Sequence, residues 1–588
     1  MILQALTSLY ETLAQKGEIS KEGWSREKIS FALSIDEEGN LLRVTPLFDT
    51  VDGPKGKTRE VPQKMTVPAA VKRTSGAAAN FLWDNSSYIL GVSLKKGEDD
   101  AEREKRRNKD IKCFEACREL HHSMLDGMEY PAAKAVLNFL DKWEPQKAEE
   151  NNLVAQYAKE ILSGANMVFR FNGGYVHDDP QLASVWQKAN AKQKDNIGQC
   201  LVTGALDEIQ NTHPTIKGVQ GAQASGAALV SFNASAFCSY NKEQNQNAPV
   251  GKYAAFAYTT ALNHLLADRK NVHRIGDAAV VCWAENADKQ YEDFAAEVFF
   301  GDNVDKSDEQ RLSALRTSLK LLADGLPCKE MDLDPDRKFY ILGLSPNAAR
   351  LAVRFFYCDS FGKIAGNIYK HHERLEIVRP SYDKFPILPL WKLLSATVNP
   401  NAKDKTPNAA MAGAVARAVF SGGRYPASLL ECTFLRIKAE RNITRERAAI
   451  IKAYYLRNPN EKCPKEVLTV SLNENSKNIP YTLGRLFSVY EEIQQAANPG
   501  INTTIKDRYF GSAAAMPATV FPILSNLAQK HLRKLSDAQR VYLDKKVMTL
   551  KSVLGEQYPA HMSLPEQGSF DLGYYHQTQA RYTKKEDK

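Results

Sequence analysis

The hydrophobic pattern of the chain changes near Pro380, and this change constrains the fold more than any single motif. Before it, apolar runs typical of strands, such as Ala278 to Ala284 and Lys338 to Leu344, alternate with helical segments. After it, apolar residues recur at helical spacing in one segment after another. We therefore predict an α+β fold, with a mixed N-terminal body containing ferredoxin-like elements, followed by an all-α C-terminal helical bundle.

The length of the chain requires more than one core. It has 588 residues, whereas a domain commonly holds about 100 to 200. We predict an α+β body over residues 1–375, a helical connector over 376–465 and a C-terminal bundle over 466–588. The helices predicted after Pro380 cover 409–420, 427–441, 444–457, 480–497, 517–535 and 536–554. In the fourth, Leu483, Leu486 and Phe487 form the apolar face, and Arg485 and Glu491 are expected on the opposite, polar face.

Local patterns predict the main elements of the N-terminal body. Apolar and polar residues alternate at helical spacing over 1–16, and segments 28–35 and 41–48 flank a turn at Glu38–Asn40. The Pro-, Gly- and Lys-rich segment 51–76 predicts a long loop. The charged run 98–112 and the segments 181–192, 253–267 and 362–374 predict helices, whereas 166–171, 200–204, 228–233 and 351–357 predict strands.

Charge and cysteine content bound the class of protein. The net charge of +9 allows phosphate binding but is modest for this length, so partner subunits are expected to supply part of any nucleic-acid affinity. No run of about 18 apolar residues occurs, and the N-terminus carries Glu11 where a signal peptide needs an apolar core. The nine cysteines follow no framework pattern, as is common for reduced thiols. These features predict a cytoplasmic protein that does not enter a membrane.

No residue pattern indicates catalysis. Cys113, Cys117 and His121 share one helical face, with His122 alongside, but a zinc site needs about four ligands and no second pair is suitably spaced. His177–Asp179 precedes Pro180, where Asp commonly caps a helix, and His371–His372 lacks converging carboxylates. Serine-hydrolase, zinc-protease, Walker and kinase motifs are missing from the sequence. We predict no catalytic residues, no metal and no cofactor.

Two polar segments have the composition of binding loops. The stretch from His213 to Asn263 contains Lys217, Gly218, Gln220, Gly221, Gln223 and Gly226 within ten residues. Glycine permits positive φ and close approach of the backbone to a ligand, although the spacing fits neither a Walker loop nor a dinucleotide fingerprint. From residue types alone, a nucleic-acid contact loop and an ordinary glycine-rich turn both remain open.

The second segment precedes a small-residue turn at Gly76–Ala79. Lys72, Arg73, Thr74 and Ser75 offer two cations and two hydroxyls to a backbone phosphate. Asn80 and Asn85 are predicted to reach base edges. The alternative for Asn80 is a cap of a helix or turn, with Phe81 and Trp83 in the core.

Several blocks of the sequence resemble one known family. They are KRTSGAAANFLWDNSSYILG (Lys72 to Gly91), the His213–Asn263 stretch, FYILGLSPNAARLAVRFF (Phe339 to Phe356), SGGRYPASLLECTFLRIKAERN (Ser421 to Asn442), YTLGRLFSVYEEIQ (Tyr481 to Gln494) and FDLGYYHQTQ (Phe570 to Gln579). In this order they resemble the large subunit of the type I-C CRISPR Cascade complex. The resemblance implies a non-enzymatic subunit that reads the protospacer-adjacent motif in duplex DNA, starts the R-loop, stabilises the displaced strand and supports recruitment of a helicase-nuclease.

The resemblance also implies partners and residue roles. The partners are CRISPR RNA, target double-stranded DNA, the backbone, guide-end and small subunits of Cascade, and the helicase-nuclease. Related large subunits use a glycine loop, a lysine finger and a glutamine wedge, and Gly218, Gly221, Lys217, Gln220 and Gln223 resemble these devices. Further DNA contacts are expected at Asn233, Asn241 and Lys242. Displaced-strand contacts are expected in the C-terminal bundle, which resembles a Cascade small subunit, at Arg508, Tyr509, Lys530, His531, Arg533 and Lys534.

Two other functions remain open from the sequence. The chain is either a nuclease with an unrecognised metal site or a purely architectural subunit whose loops contact other proteins. Metal-dependent cleavage would favour the first, and DNA affinity that survives neutralisation of Lys72, Arg73 and Lys217 would favour the second.

Overall fold

The chain is described by a computed structural model that forms two compact units. The described residues are 1–52, 58–71, 73, 76–95, 97–190, 196–232, 234–301, 309–383, 385–555 and 557–582. The first unit contains residues 3–213 and 232–261, and the second contains 214–231 and 262–588. Strands and helices mix as far as residue 360, and the elements that the structure describes after it are helices, which confirms the α+β class. None of the helices in the described ranges is long and apolar enough to cross a membrane.

The first unit contains two sheets and a short ribbon. One sheet has the order Leu41–Pro46, Phe31–Ile35, Asn166–Phe171 and Trp83–Asn85, with Gly174–Tyr175 paired to Asn166–Phe171. The second has the order Trp24–Ile29, Thr58–Pro68 and Phe48–Asp52, and the ribbon pairs Ile197–Gln199 with Leu206–Glu208. The α-helices described before residue 200 are Ile2–Gln15, Ser86–Ile89, Asp100–Leu125, Pro131–Lys142, Asn152–Ala155, Ala158–Ile161 and Pro180–Asn190.

Packing in the first unit follows the alternation of its strands. Phe31 and Phe169, from neighbouring parallel strands, lie with Phe81 and Phe139 in one core, and all four are at most 1% exposed. The N-terminal helix, the hairpin 31–46 and the charged helix that begins at Asp100 confirm their predictions.

Three local predictions for the first 260 residues are wrong. Residues 58–68 form an eleven-residue strand where a loop was expected. Residues 200–204 form the turn between the ribbon strands, and the described part of 228–233 makes a single bridge from Ala228 to Arg350. Short apolar runs favour strands by composition, but a strand also needs a neighbour with unpaired backbone groups.

The second unit begins with an antiparallel sheet. Its order is His273–Ile275, Ala278–Ala284, Lys338–Asn347 and Arg350–Ser360. Helix Lys252–Ala267 enters this unit at residue 262, and the α-helices that follow are Lys289–Phe294, Glu309–Ala323, Phe361–Leu375, Leu390–Ser395, Ala409–Ser421, Ala427–Glu440, Arg445–Arg457, Ile479–Ala497, Ile505–Ala515, Pro517–Leu532, Asp537–Leu554 and Leu564–Ala580.

A continuous hydrophobic core joins this sheet to the helices. Phe339 from the sheet and Phe361, Phe420, Phe487 and Phe570 from four helices are all at most 1% exposed and belong to one cluster. The six helices predicted after Pro380 are confirmed within three residues at each end. The three-part division at residues 375 and 465 stays a prediction.

Candidate nucleic-acid interface

The glycine-rich loop of the second unit is held in place by buried side chains and backbone bonds. Ile216 and Val219 are 1% and 6% exposed. The N–H groups of Ile216 and Ala227 donate to each other's carbonyls, both at 2.9 Å. The Lys217 N–H donates to Asn263 Oδ1 at 2.8 Å. The backbone is therefore fixed, while the side chains of Lys217, Gln220 and Gln223 are exposed.

Glycine is required in this loop by its own packing. Gly218 and Gly221 have φ of +92° and +84°. A Cβ on Gly218 would lie 3.2 Å from the Leu266 carbonyl oxygen, and one on Gly221 would lie 3.2 Å from Pro346 Cγ. At these two positions the loop thus lies too close to Leu266 and Pro346 for a side chain. Contact of these glycines with DNA stays a prediction.

Arg274 is a further cation at this loop, and no local pattern in the sequence points to it. Its Nη1 donates to Gln220 Oε1 at 3.2 Å, and its Nε donates to the Gly276 carbonyl at 3.1 Å. Lys217 makes no ion pair with any carboxylate that the structure describes. The loop therefore presents one unpaired lysine and one glutamine held by an exposed arginine.

In the first unit, Arg73 is bound to the protein itself. Its Nη2 donates to Asp84 Oδ2, and its Nε donates to the Ala78 carbonyl at 2.7 Å. The guanidinium carbon lies 4.0 Å from the centre of the Tyr88 ring. Burial raises the pKa of Asp84, and the bonds from the Asn80 N–H and Arg73 oppose this rise. Arg73 thus anchors its loop, with its side chain still 30% exposed. Lys72, Thr74 and Ser75 lie outside the described residues.

The two asparagines of this segment make local structural bonds. Asn80 is 3% exposed, and its Oδ1 accepts the Val71 N–H at 2.9 Å. Asn85 Oδ1 accepts the Ser87 N–H at 3.0 Å and caps a short helix. These bonds are those expected of the structural alternative, and base contacts by either residue stay a prediction.

The amide-rich loop of the first unit presents two of its candidates to solvent. Asn241 and Lys242 are exposed, and Asn241 has φ of +55°. The neighbouring Asn245 is 2% exposed and donates to the Gln210 carbonyl at 2.7 Å, which gives it a structural role. Asn233 lies outside the described residues.

The displaced-strand candidates of the second unit form two groups. Lys530, Arg533 and Lys534 are exposed at the end of helix Pro517–Leu532 and make no ion pair with a described carboxylate. His531 is half-buried, and both it and Lys534 contact the Asn498 amide. Burial and the nearby Lys534 lower the pKa of His531.

The second group lies on helix Ile505–Ala515. The Arg508 guanidinium lies 5.4 Å from the centre of the Tyr509 ring, and Tyr509 packs against the core.

The cysteine–histidine group is part of the first core. His121 Nε2 accepts the Leu82 N–H at 2.9 Å, and Nδ1 lies 2.7 Å from the Cys117 carbonyl oxygen. Burial lowers the pKa of His121 to about 4. His371 is likewise buried, with Nδ1 2.6 Å from the Tyr425 hydroxyl. Within the described ranges, no three His, Cys, Asp or Glu side chains are grouped to hold a metal ion.

Comparison with known families identifies the class. The family model described as CRISPR-associated protein (Cas_Csd1) matches residues 6–582, and the chain therefore belongs to this family. This match confirms the resemblance to the large subunit of the type I-C Cascade complex. A search of curated proteins found no match to the chain.

Proposed function

We propose that this Cascade large subunit recognises the protospacer-adjacent motif in double-stranded DNA, nucleates the R-loop, stabilises the displaced strand and supports recruitment of the helicase-nuclease. Its partners are then CRISPR RNA, target DNA and the backbone, guide-end and small subunits. It acts by binding and leaves cleavage to the recruited enzyme.

The observation that carries the proposal is the fixed backbone beneath the exposed Lys217, Gln220 and Gln223. Opening a duplex costs about 1.4 kcal/mol per base-pair step in stacking. A protein that nucleates opening must therefore hold the separated strands with groups that are already in position. The loop meets this need, because Ile216 and Val219 bury its base and Asn263 fixes the Lys217 backbone.

The expected roles follow from side-chain chemistry. The Lys217 ammonium neutralises a phosphate or contacts an acceptor in the minor groove. The glutamines offer both donors and acceptors to bases that have lost their partners. Arg274 orients Gln220 through the 3.2 Å bond to its Oε1 and supplies a second positive charge.

The test measures binding of the reconstituted guide complex to two targets, one fully duplex and one already melted beside the motif. We compare the native chain, Gln220→Ala/Gln223→Ala and the control Gln156→Ala, which changes an exposed glutamine of the first unit. We expect the double variant to lose affinity for the intact duplex, to regain it on the melted target, and to differ from the control.

Equal binding of both targets by all three proteins would overturn the wedge role. Equal loss on both targets would show that the glutamines contribute to binding but do not open DNA.

A further inference from the structure

A cavity of about 320 Å³ in the second unit has several aromatic rings in its lining. Four of its lining residues are tyrosines, namely Tyr382, Tyr574, Tyr575 and Tyr582. Its volume falls within the range of about 300 to 1,000 Å³ that is typical of small-ligand sites. None of these residues was selected from the sequence.

Tyr382 is exposed although the backbone beneath it is fixed. It is 84% exposed and lies in a turn closed by the bond from the Asp383 N–H to the Pro380 carbonyl, at 3.0 Å. The Asp383 carboxylate, 7% exposed, pairs with Arg445 at 3.0 Å and with Lys392 at 3.2 Å. The ion pairs of Asp383 fix the turn while the Tyr382 ring stays outside the core, so the ring adds little to folding. A large aromatic ring in such a position is available to stack on a ligand.

Two other tyrosines form a rigid part of the lining. Tyr575 is 2% exposed, and its hydroxyl donates to the Val378 carbonyl at 2.7 Å. Tyr574 is 5% exposed, and its hydroxyl donates to Glu491 at 2.6 Å. Tyr582, two residues beyond helix Leu564–Ala580, is 71% exposed. The cavity thus combines two fixed rings with two that solvent reaches.

The polar lining carries one positive charge. Lys506 Nζ lies 3.5 Å from Asn442 Oδ1 and 5.8 Å from the centre of the Tyr574 ring. The lining includes no aspartate or glutamate, and no carboxylate in the described part of the chain forms an ion pair with Lys506. Asn442 is fixed through its carbonyl, which accepts Arg447 Nη1 at 2.9 Å.

We propose that this cavity, the tyrosine pocket, binds one nucleotide, whose base stacks on the exposed tyrosines and whose phosphate pairs with Lys506. A flat π-system with an adjacent negative charge matches both parts of the lining, and stacking on aromatic rings beside a cation is how proteins hold unpaired bases. The Asn442 and Gln579 amides can bond the edge of the base.

The pocket deepens the proposed function and rests on it for the source of the nucleotide, which is the displaced single strand. Lys506 lies on the same helix, Ile505–Ala515, as the predicted strand contact Arg508. Both residues lie in the first turn of this helix but two positions apart, so a strand that contacts Arg508 has to bend around this end of the helix to reach the pocket.

The test uses the purified full-length chain and an oligothymidine that carries one 2-aminopurine, whose fluorescence falls when the base stacks. The variants are Tyr382→Ala, Tyr582→Ala and Lys506→Gln. The control is Tyr542→Ala, since Tyr542 is 58% exposed on a helix that does not line the cavity. We expect each tyrosine variant to bind about ten-fold more weakly and to lose part of the quenching. Lys506→Gln is expected to lower the salt dependence of binding, and the control to match the native chain.

A second titration with a deoxynucleoside monophosphate separates the two sources of the ligand. Competition only at much higher concentration than the oligonucleotide supports a site for a strand, whereas equal competition supports a site for a free nucleotide. Native-like binding and quenching by all three variants would overturn the pocket. This readout is independent of duplex opening: failure of the Gln220/Gln223 experiment leaves the pocket standing if the tyrosine variants still lose quenching. If the guide complex opens duplex DNA as proposed but all three pocket variants bind and quench like the native chain, the pocket is overturned and the proposed function stands.

Discussion

At the scale of single residues, the clearest consequence of the structure concerns His121, which holds the backbone at Leu82. It accepts the N–H of Leu82, a residue with φ of +64°, and its ring stacks on Phe81 at 5.4 Å. A protonated ring has no free lone pair for this bond. The neutral form of His121 is therefore part of the folded loop.

This arrangement predicts a loss of stability in acid. Burial lowers the pKa of His121 from its usual 6.5 to about 4. The unfolded chain therefore takes up the proton first as the pH falls below about 6.5, and the folded state loses stability until about pH 4. Between pH 7 and pH 5 the titration of His121 lowers the free energy of unfolding by about 2 kcal/mol. We expect His121→Gln to remove that part of the loss in urea unfolding, and an NMR titration to show no protonation of the ring near pH 6.5.

The neighbouring His122 provides a control of opposite sign. Bonds to Asp126 and Asp141 raise its pKa, so it stabilises the fold below about pH 6.5 and that stability is lost as the pH rises through its folded pKa. His122→Gln should make the acid loss larger. An equal acid loss in native, His121→Gln and His122→Gln proteins would contradict both assignments.

At the scale of elements, helices Ile479–Ala497 and Leu564–Ala580 approach each other through glycines. A Cβ on Gly484 would lie 2.0 Å from the Phe570 carbonyl oxygen, and one on Gly573 would lie 2.1 Å from that of Tyr481. Backbone atoms cannot yield as side chains do, so we expect Gly484→Ala or Gly573→Ala to destabilise the second unit by about 3 kcal/mol. Gly511, on helix Ile505–Ala515, has nothing within 4 Å of its Cβ position, and Gly511→Ala should stabilise by about 0.5 to 1 kcal/mol. Urea unfolding followed by circular dichroism compares the three, and equal midpoints would contradict the close packing.

The same helix pair shows what the sequence could predict. The apolar face of Ile479–Ala497 was correct, but Arg485 and Glu491 were expected in solvent and are 7% and 5% exposed. Arg485 Nε donates to Gln577, and Glu491 accepts the Tyr574 hydroxyl. Helix Leu564–Ala580 was missed because residues 567–577 are all buried, which leaves no amphipathic period to detect.

Strand pairing and side-chain contacts between residues far apart in the sequence could not be predicted from local patterns either. Strand Thr58–Pro68 contains Pro62, which argues against a central strand. Residues 58–62 pair with Phe48–Asp52 and residues 63–68 with Trp24–Ile29, so Pro62 stands where one ladder ends and the next begins. Lys217, Gln220 and Gln223 were found through a local cluster of glycines and amides. Arg274 was not found, because it meets Gln220 across 54 residues of sequence.

At the scale of the whole molecule, the modest net charge of +9 limits how much of the affinity in the proposed DNA binding comes from long-range attraction. Contacts to phosphate then depend on a few cations that are not already neutralised by carboxylates. Lys217 and Arg274 are such a pair in the second unit, since neither makes an ion pair with a described carboxylate. Arg274 does lie close enough to Asp404 to help lower the pKa of that exposed carboxyl.

Their contribution is measurable as counterion release. Each phosphate contact contributes about 0.9 to the slope of the logarithm of the binding constant against the logarithm of salt concentration. Replacing both residues, as Lys217→Gln/Arg274→Gln, should therefore lower that slope by about two when the guide complex binds target duplex between about 50 and 200 mM salt. The control Lys147→Gln removes an exposed cation that already pairs with Glu144 at 2.8 Å, and it should leave the slope unchanged. A slope unaltered by the double variant would place the phosphate contacts on other residues or on partner subunits, and a slope lowered equally by the control would show only the effect of total charge.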